Sequence, residues 1–175
     1  MVLRRRLLVQ LLPLSLALPA LAGCGWEPLY ADPQTGKSSA DLRAIKVMPI
    51  PDRVGQMLET GLRQSFNPDE IPTKPLYRLS VTLSTVLQDL GIQSQGLGTR
   101  GELQLVASYH LFDAATSKEL QTATIHASDS FDIQANGYST VVAQNDAKVR
   151  VVEEVRREMV ARLIMFMQHK ESTAS

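Results

Sequence analysis

The sequence predicts an α+β fold: a two-layer roll in which a mixed sheet of about four strands carries two helices on one face, in the order β-α-β-β-β-α. Between residues 76 and 133, apolar and polar residues alternate over three successive runs, the period of a strand with one buried side. Two flanking segments, 54–62 and 142–166, repeat their apolar residues at steps of three and four, the period of a helix lying on a core. The chain has 175 residues, 44% of them hydrophobic and 21% charged, which suits one globular domain with a core of its own.

The first segment lies outside that domain. Arg4-Arg5-Arg6 precede an almost purely apolar run from Leu7 to Ala22, broken by Gln10, Ser15, Pro13 and Pro19. Positive charge followed by such a run marks an export signal. The run falls short of the roughly 20 residues a spanning helix needs, and its prolines would disturb that helix further. Residues 1–23 therefore read as a cleaved signal peptide. Leu21-Ala22-Gly23-Cys24 ends it with small residues that let a peptidase reach the backbone, then the only cysteine of the chain. These four residues resemble the bacterial lipobox, which implies a diacylglycerol thioether and an N-acyl chain on Cys24 as the lipid attachment. The bland alternative is an ordinary secretory signal with a chance cysteine. Arg4-Arg5 also suggest twin-arginine export, but the other residues of that motif are missing, so plain Sec export fits better.

Residues 1–23 carry three arginines and no acid, so of the 18 basic and 18 acidic residues, 15 and 18 remain in a mature chain of 152, a net charge of −3. No global basic field recruits nucleic acid. With Cys24 acylated no thiol remains for a disulfide, and the core must hold the fold unaided.

Residues 24–40 contain Trp26, Pro28, Pro33, Gly36 and two serines without strand or helix period, and read as an acylated tether. The domain is expected over 41–170, with 171–175 a flexible tail. From Leu42 to Ile50, Ile45 and Val47 share a face and Pro49 and Pro51 close a short strand. Asp52 is placed to cap a helix bearing Val54, Met57, Leu58, Gly61 and Leu62, which Asn67-Pro68 stops. The second strand, Leu76 to Leu87, sets Tyr77, Leu79, Val81 and Leu83 against Arg78, Ser80, Thr82 and Ser84. Gln88 to Gly101, with four glycines, reads as a loop. Glu102 to Phe112 and Leu120 to Ile133 form a hairpin about Asp113 to Lys118, the second strand with Ala123, Ile125 and Ala127 inward and a bulge suspected before Phe131. A terminal helix, 139–169, presents Val142, Val149, Val152, Val155, Met159, Leu163 and Phe166 as its apolar stripe, with Glu153/Arg157 and Glu158/Arg162 as pairs on a solvated side.

Few residues suggest chemistry. Gly96-Leu97-Gly98-Thr99-Arg100-Gly101 spells G-x-G-x-x-G, but a dinucleotide site needs that run after a strand and opening a helix, and here it precedes a strand. His110 and His126 sit on the two hairpin strands about 17 Å apart if position 110 faces roughly 121, too far to share a metal. No nucleophile elbow or Ser-His-Asp set presents itself. The expectation is a protein that is not an enzyme, with no metal and no cofactor beyond the lipid on Cys24.

Several stretches together resemble the LptE family of lipopolysaccharide-assembly lipoproteins in its alphaproteobacterial form. They are the lipobox with Gly25-Trp26-Glu27-Pro28-Leu29-Tyr30, the helix start Asp52-Arg53-Val54-Gly55-Gln56, Thr99-Arg100 before a strand ending Ala107-Ser108-Tyr109-His110-Leu111, and the helix entry from Tyr138 to Arg150. The resemblance implies a lipid-anchored protein on the periplasmic side of the outer membrane. Its expected partners are the LptD β-barrel, for which it acts as plug and assembly factor, and lipopolysaccharide, delivered to the outer leaflet. Gly25 after the acylated cysteine resembles outer-membrane sorting. Arg100, beside the glycine loop, is the nearest candidate for a lipopolysaccharide contact, with a plain strand-end surface residue as the alternative. Two helices cover one sheet face, so the other is left for the partner. Arg78, Ser80, Thr82, Ser108 and His110 are its candidate contacts, joined by Ser84 and Gln104. The competing class is an accessory lipoprotein of another envelope lipid-transport machine.

Overall fold

A computed structural model of the chain describes residues 37–89 and 100–174, all within one compact unit. The signal peptide, Cys24, most of the tether and the centre of the glycine loop lie outside the described residues. The elements are α1 (Lys37–Arg43), β1 (Ile45–Val47), α2 (Asp52–Phe66), β2 (Tyr77–Asp89), β3 (Arg100–Asp113), β4 (Glu119–Asp132) and α3 (Gly137–Ala174). The expected α+β architecture is present, with one short helix added in front. The strands lie in chain order, β1-β2-β3-β4. β1 runs parallel to β2, with α2 as the crossover between them, and the remaining pairs are antiparallel.

Alternation assigns the two faces. Leu79, Val81, Leu103, Leu105, Ala107, Tyr109, Leu111, Ile125 and Ala127 are buried beneath the helices, while their even-numbered neighbours point away. The long β2–β3 and β3–β4 ladders extend past the expected ends, so β2 runs to Asp89 and β3 starts at Arg100, within what the sequence suggests is loop.

α1 is the element that sequence period misses. It includes residues read as tether and takes Leu42, the expected first residue of β1; Leu42 is the apolar residue it buries. Such a short helix is held by tertiary contact rather than by propensity. Asp41 Oδ2 accepts from the Tyr77 hydroxyl at 3.4 Å, and that hydroxyl meets Lys170 Nζ at 2.6 Å. The ammonium also lies 4.7 Å from the centre of the Tyr77 ring. Three distant parts of the chain therefore close on one tyrosine, whose hydrogen bond holds the Lys170 ammonium above the usual lysine range.

Asp52 does not cap α2. The N-cap is Pro51, with no side-chain hydrogen bond, and Asp52 adopts φ 68, a left-handed conformation that Asp tolerates better than most residues. Glu59, one to two turns into the helix, accepts from the Ile50 amide instead at 2.9 Å. Further along, a Cβ on Gly61 would stand 2.7 Å from Cδ of Arg156, so this glycine lets α2 and α3 approach closely. Arg156 is then fixed by Ser65 Oγ at 2.6 Å and by the Glu153 carboxylate. That carboxylate sits below its usual range because Arg156 hydrogen-bonds to it.

α3 is longer than expected and takes in 171–174, part of the expected tail. Its buried line also differs. Ala147, Val151, Val155, Met159, Leu163 and Met167 are buried at a constant step of four, whereas Val142 and Val149 are 41% and 52% exposed. A step of four exceeds one turn of 3.6 residues by about 40°, so the buried line winds round the helix. α3 also meets α1 and α2.

The suspected bulge before Phe131 is absent. Register continues through Phe131, and the irregularity lies at Leu111/Phe112, beside the turn. The polar interruption at 128–130 instead puts Asp129 on the helix side, where it pairs with Arg150 of α3. Phe131 lies over Gly101, its cross-strand partner, and a Cβ there would fall 2.4 Å from Cζ of the ring. Gly101→Val should therefore overpack this end of the sheet despite the good strand propensity of valine. A melting temperature lowered by about 2–10 °C is the expected result. An unchanged value would mean that the ring moves aside freely.

Candidate interaction face

The sheet face away from the helices is built by the even positions of β2, β3 and β4. Register sets Ser80 beside His110 and Thr82 beside Ser108, and continues to Thr122 and Thr124 of β4. Four of the five sequence-chosen contacts thus form one block, and Arg78 adjoins it opposite Phe112. The block is rich in hydroxyls. Ser108 and Thr124 share a hydrogen bond of 3.1 Å. His110 Nδ1 lies 3.1 Å from Glu119 Oε2, and its ring stacks on Phe112 with centroids 6.1 Å apart. Arg78 Nη2 donates to Ser117 Oγ at 2.8 Å, while its buried Nε finds no partner among the described residues.

The turn beneath this block is fixed by Asp113. Its Oδ1 accepts from the Ala115 and Thr116 amides at 3.0 and 2.8 Å and from the Thr116 hydroxyl at 2.9 Å. The Thr116 bonds chiefly hold this carboxylate below its usual range. Such a turn presents Ser117 at φ 58 to Arg78.

Arg100 does not join the block. It starts β3 opposite Asp132, twelve residues from the Phe112 level where Arg78 lies, about 40 Å along the strand. Any ligand meeting Arg100 is met at the far end of the sheet. The described part of the glycine motif, Arg100 and Gly101, opens a strand and not a helix.

His126 stands opposite Val106, four residues from His110 rather than five, about 14 Å along the same face. Among the described residues no three His, Cys, Asp or Glu side chains gather as a metal site. The sequence choice omitted the β4 row of Thr122, Thr124, His126 and Ser128, which completes the face. The same alternation signals it once β4 is aligned with β3. Beneath the sheet, the Tyr109 hydroxyl is buried with no hydrogen-bond partner among the described residues, and burial pushes its phenol above the usual range.

No family model matches this sequence, and no curated protein matches it. Solved structures do. A candidate lipoprotein from Caulobacter crescentus is similar with a TM-score of 0.62 and 22% identity over 77% of this chain and 98% of that one. A minor lipoprotein from Acinetobacter baumannii is similar with a TM-score of 0.51 and 14% identity over 70% of this chain and 90% of that one. At such identities the likeness is one of fold.

Proposed function

We propose that this protein is an outer-membrane lipoprotein of the LptE type, anchored through Cys24, which seats its uncovered sheet face in the lumen of the LptD barrel. There it acts as plug and assembly factor for delivering lipopolysaccharide to the outer leaflet. The observation that carries this reading is the hydroxyl-rich block at Ser80, Thr82, Ser108 and His110, which the described helices, packed on the opposite face, do not cover. A barrel lumen is wet and polar, and a polar face of hydroxyls and imidazoles matches it better than an apolar patch would. Two solved lipoproteins share the fold, and the Leu21-Ala22-Gly23-Cys24 run supplies the anchor. No described helix is long and apolar enough to cross a membrane.

Photo-crosslinkers at Ser80 and Ser108 should capture the barrel strongly in cells, and one at exposed Glu154 of α3 should capture little. Depletion should leave the barrel misassembled and the cell surface short of lipopolysaccharide. Normal assembly after depletion, or capture of a different envelope transporter at Ser80, would replace this reading with the accessory role in another lipid-transport machine.

A further inference from the structure

At the end of the open sheet face next to the 113–118 turn, two positive charges stand side by side. Register sets Lys46 of β1 directly against Arg78 of β2. Each lies between buried neighbours, Ile45 and Val47 for the lysine, Tyr77 and Leu79 for the arginine, so both side chains leave the sheet on the face away from the helices. Their strands run about 4.8 Å apart. Like charges directly opposite each other on neighbouring strands destabilise a sheet, and among the described residues no carboxylate offsets this pair. Five ion pairs join basic and acidic side chains there, and neither Lys46 nor Arg78 belongs to one. The row continues through Phe112 to Glu119, whose carboxylate is two strands from Arg78 and already meets the His110 ring at 3.1 Å. The turn below adds one charge of each sign, Asp113 and Lys118, and Asp113 Oδ1 is taken by the turn's own donors.

Arg78 is oriented but unsaturated. Its Nη2 is pinned to Ser117 Oγ at 2.8 Å, on a residue that the turn holds at φ 58. Of the five N–H donors of a guanidinium, the described residues engage this one, and the buried Nε finds no acceptor among them. A buried donor left unpaired is costly. A planar fork of this kind matches the two oxygens of a carboxylate, and the ammonium of Lys46, on its flexible stem, can close on the same group as a point charge.

We infer that Lys46 and Arg78 together receive one carboxylate, an aspartate or glutamate side chain on the inner wall of the barrel; the inference rests on the reading above, which seats this face in a lumen. The charge balance selects a carboxylate. Lys46 and Arg78 set against Glu119 leave the row with a single positive charge, which a monovalent carboxylate cancels and a phosphate dianion would exceed. The pair also adjoins the hydroxyl block, since Arg78 lies two residues from Ser80 along β2, so a wall seated on the block reaches both cations. The hydroxyls then supply fit, and the ion pair fixes which way the domain is turned inside the barrel.

The test uses the complex of the full acylated chain with its barrel, purified in detergent. A carbodiimide, which joins an amine to a carboxylate in contact with it and adds no spacer, should link Lys46 to an acidic residue of a barrel peptide, identified by mass spectrometry. Lys46→Gln should remove that link and shorten the lifetime of the complex about tenfold. The melting temperature of the free Lys46→Gln protein should stay the same or rise, because a like-charge neighbour is gone. Arg78→Gln should shorten the lifetime likewise. The photo-crosslinker at Ser80 reports the seating itself. Capture of the barrel at Ser80 with no carbodiimide link at Lys46, or with a lifetime that Lys46→Gln leaves unchanged, would overturn the inference and leave the seating intact. Loss of capture at Ser80 in the wild-type complex would overturn both. A Lys46→Gln protein that keeps its barrel but loses bound lipopolysaccharide would assign the pair to a lipid phosphate and overturn the inference as well.

Discussion

Leu163→Asp abolishes the cooperative unfolding transition of the domain, while Val149→Asp leaves it nearly unchanged. Both valine and leucine belong to the stripe that spacing alone assigns to α3, so the pair separates burial from periodicity. Leu163 is 0% exposed and Val149 is 52% exposed. Removing a buried leucine side chain costs about 2–5 kcal/mol for the lost transfer and the cavity. A carboxylate put in its place has no partner and must either stay charged in an apolar site or take up a proton, at a further cost of several kcal/mol. The total rivals the roughly 5–15 kcal/mol that holds a domain of this size together. At position 149 the same change stays within about 0.5 kcal/mol, as for other surface substitutions. Circular dichroism melts of the two variants check it. A well-folded Leu163→Asp protein would mean that the α3 line is not core.

On the proposed anchoring through Cys24, Cys24→Ser should convert the protein from membrane-bound to soluble. Acyl chains contribute about 0.8 kcal/mol per buried CH₂, and one chain alone binds only marginally, whereas two or three anchor permanently. Serine cannot form the thioether, so the whole anchor is lost. Fractionation should find the variant in the soluble envelope fraction, and wild-type protein in the membrane until detergent is added. Retention of the processed variant in membranes from cells lacking the barrel would place the anchor elsewhere.

What the residues reveal before folding follows from which forces are local. Alternation in β2, β3 and β4 is strong because each strand lies between a core and an open face, so the open face could be chosen residue by residue: Ser80, Thr82, Ser108 and His110 do lie side by side. Where a third layer intrudes, the signal fades. Val142 and Val149 keep helical spacing with the true core residues, yet which side of α3 is buried depends on the crossing angle and on α1 and α2, which no local pattern encodes. α1 is invisible because it buries little, and it is held by Tyr77 and α3 rather than by its own sequence. The polar run at 128–130 suggests a bulge in the sequence because the partner of Asp129, Arg150, lies 21 residues away on another element. Arg100 sits on a strand end as its sequence neighbours suggest, but its distance from Arg78 depends on register.

The tyrosine on which Asp41 and Lys170 converge also sets a schedule. Lys170 reaches back 93 residues to Tyr77, which reaches back a further 36 to Asp41. The three-stranded meander from Tyr77 to Asp132 needs only neighbours in the chain and can pair early. β1 can join β2 once that strand is made, but the Asp41–Tyr77–Lys170 contact of α1 waits for the end of α3, and long closures of this kind are slow to form. In a chain emerging N-terminus first, that closure on Tyr77 is therefore among the last contacts of the domain to form.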